Sequence, residues 1–153
     1  MLFLLKGIGI SLLTFAGMEA ASWTIHKYLF HGPLWFIHKT HHVKSRSKWE
    51  ANDLFSLGFA TTAMILIMVG FETLSWHFWV GAGISLYGLV YFVVHDVLAH
   101  KRMKWWKKSN SPYLKAVVRA HQMHHRHLQK EDGEAFGLLY VKKKYFQIRK
   151  NRA

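Results

Sequence analysis

Two stretches of this chain, residues 54–71 and 73–94, carry no charged side chain apart from the neutral-capable His77. That restricts the fold more than any other feature, because about 20 apolar residues in a helix span the hydrocarbon core of a bilayer. Residues 2–25 are nearly as apolar, with Lys6 and Glu19 as their charges. A cleavable signal peptide would explain that first block, but no small-residue cleavage site stands out and the block runs straight into a histidine motif. The pattern predicts an all-α integral-membrane helical bundle, one domain over residues 1–153. It has three membrane helices, or four if the first block bends near Gly17.

Breaker and capping residues divide the rest. The first helix is expected over residues 3–29 and stops at Gly32-Pro33, since proline cannot continue a helix. A short helix follows at 34–42, then a basic loop over 44–48. Asp53 is placed to cap the second membrane helix, which forms a hairpin with the third through a turn near 71–75. The third helix runs on to about His100. Trp105 and Trp106, set among lysines, read as interfacial anchors. Pro112 opens a further helix over 111–128, and residues 130–134 form a turn. The tail from Lys142 onward reads as a basic, aromatic strap on the membrane surface.

Charge orients this bundle. The chain has 21 Lys and Arg against 8 Asp and Glu. Lys27, Lys39, Lys44, Arg46 and Lys48 lie between the first two apolar blocks, and 15 more basic residues follow His95. The link 72–75 has none, so the positive-inside rule puts the first linker and the C-terminal third in the cytoplasm. No nucleic-acid module accompanies the basic residues, and contact with anionic lipid headgroups accounts for much of the charge. Cysteine is absent, which excludes disulfides, thiolate metal sites and thiol catalysis.

Twelve residues are histidine, and ten fall into four motifs. They are His26 and His31 (HX4H), His38, His41 and His42 (HX2HH), His95 and His100 (HX4H), and His121, His124 and His125 (HX2HH). Residues at i, i+3 and i+4 share a helix face, so each HX2HH triad is expected to converge on one point. Residues five apart lie about 140° apart on an ideal helix. Each HX4H pair therefore meets a common centre only if the helix ends, loosens or flanks a metal cluster. Gly32-Pro33 supplies an ending for the first pair; the second, with no breaker, is expected to grip from a helix that distorts or approaches side-on. A structural zinc takes four ligands and a catalytic zinc three, while a single facial-triad iron takes two histidines and a carboxylate. Ten imidazoles suggest two metals with about five nitrogen ligands each, and imidazole suits Fe, Zn and Cu alike. Such a site lies at the membrane's cytoplasmic mouth, open to a lipophilic substrate from the bilayer and to electron carriers from water.

The motifs, their order and the hairpin between the halves resemble the fatty acid hydroxylase superfamily of membrane di-iron enzymes. Residues 18–42 (MEAASWTIHKYLFHGPLWFIHKTHH), 52–55 (NDLF), 95–100 (HDVLAH) and 119–141 (RAHQMHHRHLQKEDGEAFGLLYV) are similar to one branch, the bacterial β-carotene 3-hydroxylases. The resemblance implies two iron ions, with zinc an alternative occupant after purification, held by the ten histidines. It implies O2-dependent hydroxylation of β-ionone rings at C3, from β-carotene through β-cryptoxanthin to zeaxanthin, in a bacterial inner membrane. No electron-donor module accompanies the motifs, so electrons are expected from a ferredoxin-type donor and its reductase, which the basic cytoplasmic face could attract.

Other residues are weighed beside the ligands. Glu19, a carboxylate inside an apolar helix, lies seven residues before His26 and is a candidate to stand behind the metal ligands, against a neutral structural role. Asp96 precedes His100 by four residues and is a candidate carboxylate–imidazole partner on that helix. Asp132 and Glu134 are expected to shape a turn, His127 to hydrogen-bond near the last cluster, and His77 to pack at the far membrane face. Phe30, Trp35, Phe55, Tyr87 and Tyr91 are core, lipid-facing or channel-lining. No side chain is required as general acid or base. Two competing functions are a related hydroxylase or desaturase acting on a fatty acyl or sterol lipid, and a membrane metal transporter. A transporter would place its ligands along a path near the midplane, and these cluster toward one face.

Overall fold

The computed structural model describes residues 1–43, 49–103, 106, 109–131 and 133–147. The basic loop 44–48, Trp105, Asp132 and the tail beyond residue 147 lie outside them. Helix α1 covers Leu2–Ile25 and continues as a π-helical turn over His26–Phe30. Helix α2 is Trp35–His42, α3 is Asp53–Gly70, and α4 is Trp76–Tyr91 with a π-helical continuation over Phe92–Ala99. Helix α5 is Pro112–His124, and a 3-10 turn covers Lys143–Tyr145. No strand occurs among the described residues.

Three of these helices are long and apolar enough to cross a membrane: Leu2–Phe30, Asp53–Gly70 and Trp76–Ala99. At about 1.5 Å per residue the first is roughly 43 Å long, against a hydrocarbon core of about 30 Å. The excess is taken up by tilt or by an end that reaches into the interface. α1 ends, α3 begins and α4 ends at the same side of the bundle, so every histidine motif on these helices is delivered to that side.

α4 is the central helix and packs against both α1 and α3, whereas α1 and α3 make no close contact with each other among the described residues. Two glycines permit this. Gly81 and Gly83 are two residues, about 200°, apart around α4. A Cβ on Gly81 would lie 2.8 Å from the Ala63 carbonyl oxygen of α3, and one on Gly83 would lie 2.6 Å from the Ser11 carbonyl oxygen of α1. Close backbone approach at small residues is how helices associate where lipid removes the hydrophobic drive. Gly83→Ala is therefore expected to destabilise the bundle by about 1–3 kcal/mol through overpacking. Gly9→Ala, with nothing within 4 Å of the new methyl, should instead stabilise it by up to about 1 kcal/mol. Thermal unfolding in detergent measures both.

Two boundaries differ from expectation. Asp53 does not cap α3: Asn52 occupies that position without a side-chain cap, because its amide oxygen is engaged by His38. Asp53 instead accepts the Glu50 backbone N–H and pairs with Arg102. Helix α5 opens as expected, with the Ser111 hydroxyl accepting from the Leu114 N–H and Pro112 in the first turn. It stops at His124, short of residue 128, because the chain turns back after His125 and sends its carbonyls toward the histidines. The described part of the tail is more than a surface strap, since Tyr145 is buried against Ala116 and Ala120 of α5. Leu138 joins Tyr87, Val94 and Val117 in the main core cluster.

Candidate metal centre

The ten motif histidines gather at the end of the bundle where α1 and α4 finish, and all are buried or half-buried. His26, His31, His38, His42 and His124 offer nitrogens that all lie within 4.8 Å of one another, and so do His41, His100, His121 and His125. His95 stands beside the second set, its Nε2 3.0 Å from His41 Nε2.

This grouping overturns the expectation that each HX2HH triad converges on one point. In both triads the i and i+4 rings stay together and the i+3 ring crosses to the other group. On a helix of 3.6 residues per turn, i and i+4 are about 40° apart, while i+3 and i+4 differ by about 100°. His38 and His42 therefore face one centre while His41 faces the other; His121 and His125 do the same with His124 crossing back.

The HX4H pairs do converge, and π-helical winding is the reason. The His31 N–H donates to the His26 carbonyl at 3.0 Å, and the His100 N–H to the His95 carbonyl at 2.9 Å. An i→i+5 bond brings residues five apart onto the same side of successive turns, and such widened turns are frequent at functional sites. Ring centroids are 5.2 Å apart for His26 and His31 and 4.6 Å apart for His95 and His100. Distortion was expected for the second pair; both pairs use it.

Seven rings have Nδ1 against an oxygen that can accept. His26 reaches the Phe136 carbonyl (2.8 Å), His31 the Lys130 carbonyl (3.1 Å), His42 the His127 carbonyl (3.0 Å) and His124 the Glu134 carbonyl (2.9 Å). His38 reaches Asn52 Oδ1 (2.7 Å), His41 Glu50 Oε2 (2.8 Å) and His95 Asp96 Oδ1 (2.9 Å). The proton is thus on Nδ1, and the Nε2 lone pair of each ring points inward. Inward they meet one another: His26 and His38 at 3.0 Å, His38 and His42 at 3.1 Å, His31 and His124 at 3.3 Å, His41 and His95 at 3.0 Å. Two lone pairs cannot bond each other. Nitrogens about 2.1 Å from one ion and at right angles around it lie about 3.0 Å apart, so a shared cation resolves each contact. The Nε2 of His125 is also buried with no hydrogen-bond partner among the described residues, a polar atom at the cluster that lacks what it would bind. The cluster fits a metal site.

Its electrostatics agree. Burial, with neighbouring imidazoles adding to it, lowers the rings from the ordinary 6.5: His38 and His100 to about 3, His42 to about 4 and His124 to about 2. Burial lowers His31, His41, His121 and His125 as well. These rings are neutral near pH 7, the form that binds metal.

The carboxylates lie elsewhere than expected. Asp96 is bonded to His95 and not to His100: on the π-wound segment its carboxylate folds back to the adjacent ring. Glu19 does not touch His26. Its Oε1 accepts from the Leu139 and Tyr140 N–H groups (2.8 and 2.9 Å) and its Oε2 from the Tyr87 hydroxyl (2.8 Å). His127 contributes its backbone carbonyl and not its ring. Glu134 does the same, while its carboxylate pairs with Lys144. His77 stacks on Trp76 at the far end, as expected.

Sequence reasoning missed Glu50, Asn52 and Arg102. The Arg102 guanidinium pairs with Glu50 (2.7 Å) and Asp53 (2.8 Å) and lies 3.9 Å from Asp96. Burial pushes the Glu50 carboxyl up, and Arg102 opposes that. A signal was available: the chain has 8 acidic residues, and three of them flank the site end of α3 or α4.

Because α1 and α3 do not meet, a cavity of about 570 Å³ opens between them over α4. Its inner end reaches His26, His38, His41, His95 and His121, members of both groups. Away from them it is walled by Met18, Phe59, Ala63, Met64, Met68 and Ile84. From Phe55 to Met68 it follows α3 for about 20 Å. Phe30, stacked on Phe55 at 3.9 Å, stands at the inner end with Tyr91, whose hydroxyl is 3.1 Å from His95 Nε2. Phe30, Phe55, Tyr87 and Tyr91 line the cavity, whereas Trp35 packs on His31 and His42.

Three helices able to span a membrane, with ten imidazoles gathered at one end beneath an apolar cavity that opens between two of them, define a class of membrane polyhistidine proteins with a site fit for metal. The family described as Fatty acid hydroxylase matches residues 11–142, and the chain belongs to that family. It is 41% identical over 133 residues to the Beta-carotene hydroxylase of Pantoea ananas, covering 86% of this chain and 75% of the relative. It is 37% identical over 134 residues to the Beta-carotene hydroxylase of Pseudescherichia vulneris, covering 88% and 76%. Against the chloroplastic Beta-carotene 3-hydroxylase 2 of Arabidopsis thaliana the identity is 35% over 136 residues, covering 86% of this chain and 44% of that one. No solved structure matches the chain.

Proposed function

We propose that this chain is a di-iron, O2-dependent hydroxylase of β-ionone rings, acting at C3 and converting β-carotene through β-cryptoxanthin to zeaxanthin. The observation that carries the reading is the convergence of Nε2 lone pairs from both histidine groups on the inner end of an apolar, laterally open cavity. The substrate class follows the names of the curated relatives, which cover most of this chain. Iron bound by the ten histidines would supply reductive activation of O2 and insertion of one oxygen atom into a ring C–H bond; the other leaves as water, with two electrons from outside.

The chain's own residues prepare that chemistry. Glu50, Asp96, Asn52 and the four carbonyls hold the protons on Nδ1, so that Nε2 is presented inward. The cavity walls from α1, α3 and α4 take a stiff, apolar polyene end-on and bring one ring to Phe30, Tyr91 and the histidines. That positioning is a large part of the rate advantage, and burial of the groups excludes water. The excess of basic residues on the motif side orients the site toward the cytoplasm of the inner membrane. It would also draw an acidic, ferredoxin-type electron donor.

Expression in β-carotene-accumulating bacteria, followed by pigment chromatography, tests this. New mono- and dihydroxylated products are expected, absent when His124→Ala replaces the wild type. Unchanged β-carotene from well-expressed, iron-loaded protein would sink the carotenoid assignment and turn attention to acyl and sterol lipids. Ala63→Phe, which fills the cavity wall away from the histidines, should cut product at least 10-fold while leaving bound metal unchanged.

A further inference from the structure

The two histidine groups are held from behind in different ways. In the first group every ring has its Nδ1 fixed. Four of the five acceptors are backbone carbonyls of one segment, those of His127, Lys130, Glu134 and Phe136, and the fifth is Asn52. In the second, His41 and His95 are fixed by Glu50 and Asp96. His100, His121 and His125 have no Nδ1 acceptor among the described residues. Burial differs in degree: in the first group His31, His38, His42 and His124 are buried and His26 half-buried, whereas in the second His41 and His95 are buried and His100, His121 and His125 half-buried.

The segment behind the first group is itself fastened. Ala135, at φ 59°, adopts the left-handed conformation that residues other than glycine seldom take. It sits between the Glu134 and Phe136 carbonyls, which accept from two rings of the same group. Just beyond, the Glu19 carboxylate clamps two successive N–H groups, those of Leu139 and Tyr140, to α1. A ring fixed at Nδ1 cannot swing away from an ion without breaking that bond. Five rings must be freed in the first group, and two of five are restrained in the second.

We propose that the groups are unequal metal positions, the first holding its ion in slow exchange and the second labile, and that Glu19 is the positioning residue that pins the backing segment of the first. This rests on the reading of both groups as metal positions. The test uses the full chain in detergent, loaded with Co2+, counted, and challenged with excess EDTA while cobalt release is followed. Two ions per chain should bind, one leaving at least 10-fold faster than the other. Asn52→Ala should speed the slow phase alone and Glu50→Gln the fast phase alone. Glu19→Ala should speed the slow phase by about 10–100-fold with the fast phase and helical circular dichroism unchanged. Glu19→Gln, which keeps an acceptor oxygen, should do so less. Release of both ions in one phase would overturn the inequality. A reversed response of Asn52→Ala and Glu50→Gln would overturn the assignment, and equal acceleration of both phases in both Glu19 variants, or no acceleration, would remove Glu19 from it. Fewer than two ions bound would instead sink the two-metal reading beneath it.

Discussion

Removing His41 should cost the chain the ion shared by His100, His121 and His125, and leave the ion of His38 and His42, its own helical neighbours, in place. Stoichiometry alone can decide this. His41→Ala should lower bound metal from two ions per chain to about one, since each position has few rings to lose. Adding His121→Ala should then remove little more, because both changes strike the same position. Adding His38→Ala should remove the second ion as well. Changes acting on one unit do not add, and changes acting on separate units do. The mirror set uses His124→Ala, which should combine with His38→Ala to leave one ion and with His121→Ala to leave none. Hydroxylation should fall at least 100-fold in every single variant, because the cavity reaches both groups together. If His41→Ala with His38→Ala still held one ion, His41 would belong with its sequence neighbours and the crossed arrangement would be wrong.

The crossing binds the two halves of the chain together. The order HX4H, HX2HH occurs twice, and two self-contained halves could each have enclosed one ion. Instead His41 is donated to the second group and His124 to the first, so neither position is complete until α2 and α5 have docked. Metal capture and final packing of the histidine-bearing cap are thereby one event, consistent with how metal binding couples to folding elsewhere. Deleting α5 should therefore impair both positions and not one.

Much of this was legible in the sequence. Apolar length pointed to three spans, with a fourth left open by Gly17; Gly32-Pro33 pointed to the end of the first, and the placement of the motifs at the helix ends to the gathering of ten histidines at one side. The crossing was also within reach, since 40° and 100° follow from helical geometry alone; grouping i, i+3 and i+4 as one face blurred that difference. The π-wound turns were half visible, because HX4H does not fit an ideal helix and something had to give. What no local pattern could disclose was the backing of the rings. The Phe136 carbonyl meets a ring 110 positions earlier, and Glu19 meets amides 120 and 121 positions later. Backbone carbonyls carry no residue identity, so the segment 127–136 looks in sequence like a turn and a tail. Asp96 shows the same limit from the other side: the i+4 rule pointed to His100, and π winding delivered the carboxylate to His95.

Acid should unfold the metal-stripped protein far more readily than the metal-loaded one, beginning just below pH 6.5. The folded values of His38, His42 and His124 lie at about 3, 4 and 2, below an ordinary 6.5, chiefly because burial disfavours the charged ring. Above pH 6.5 both states hold these rings neutral and they contribute no pH dependence. As the pH falls through 6.5 the unfolded chain takes up protons and the folded chain does not, so stability is lost, and the loss continues until the folded values are reached. One pH unit below the unfolded value costs about 1.4 kcal/mol per ring. These three rings together remove about 4 kcal/mol by pH 5.5, a large share of the roughly 5–15 kcal/mol that keeps a domain folded. At about 2–4 °C per kcal/mol for a chain of this size, these three rings alone should lower the melting temperature by roughly 8–16 °C between pH 7.5 and 5.5, and His100 adds in the same direction. With an ion on Nε2 the rings take up no proton, and the drop should shrink until acid releases the metal. Circular dichroism melts in detergent, with and without bound metal, measure the difference. A stripped protein whose melting temperature stayed level over that range would mean that its imidazoles are open to water and not packed lone pair to lone pair.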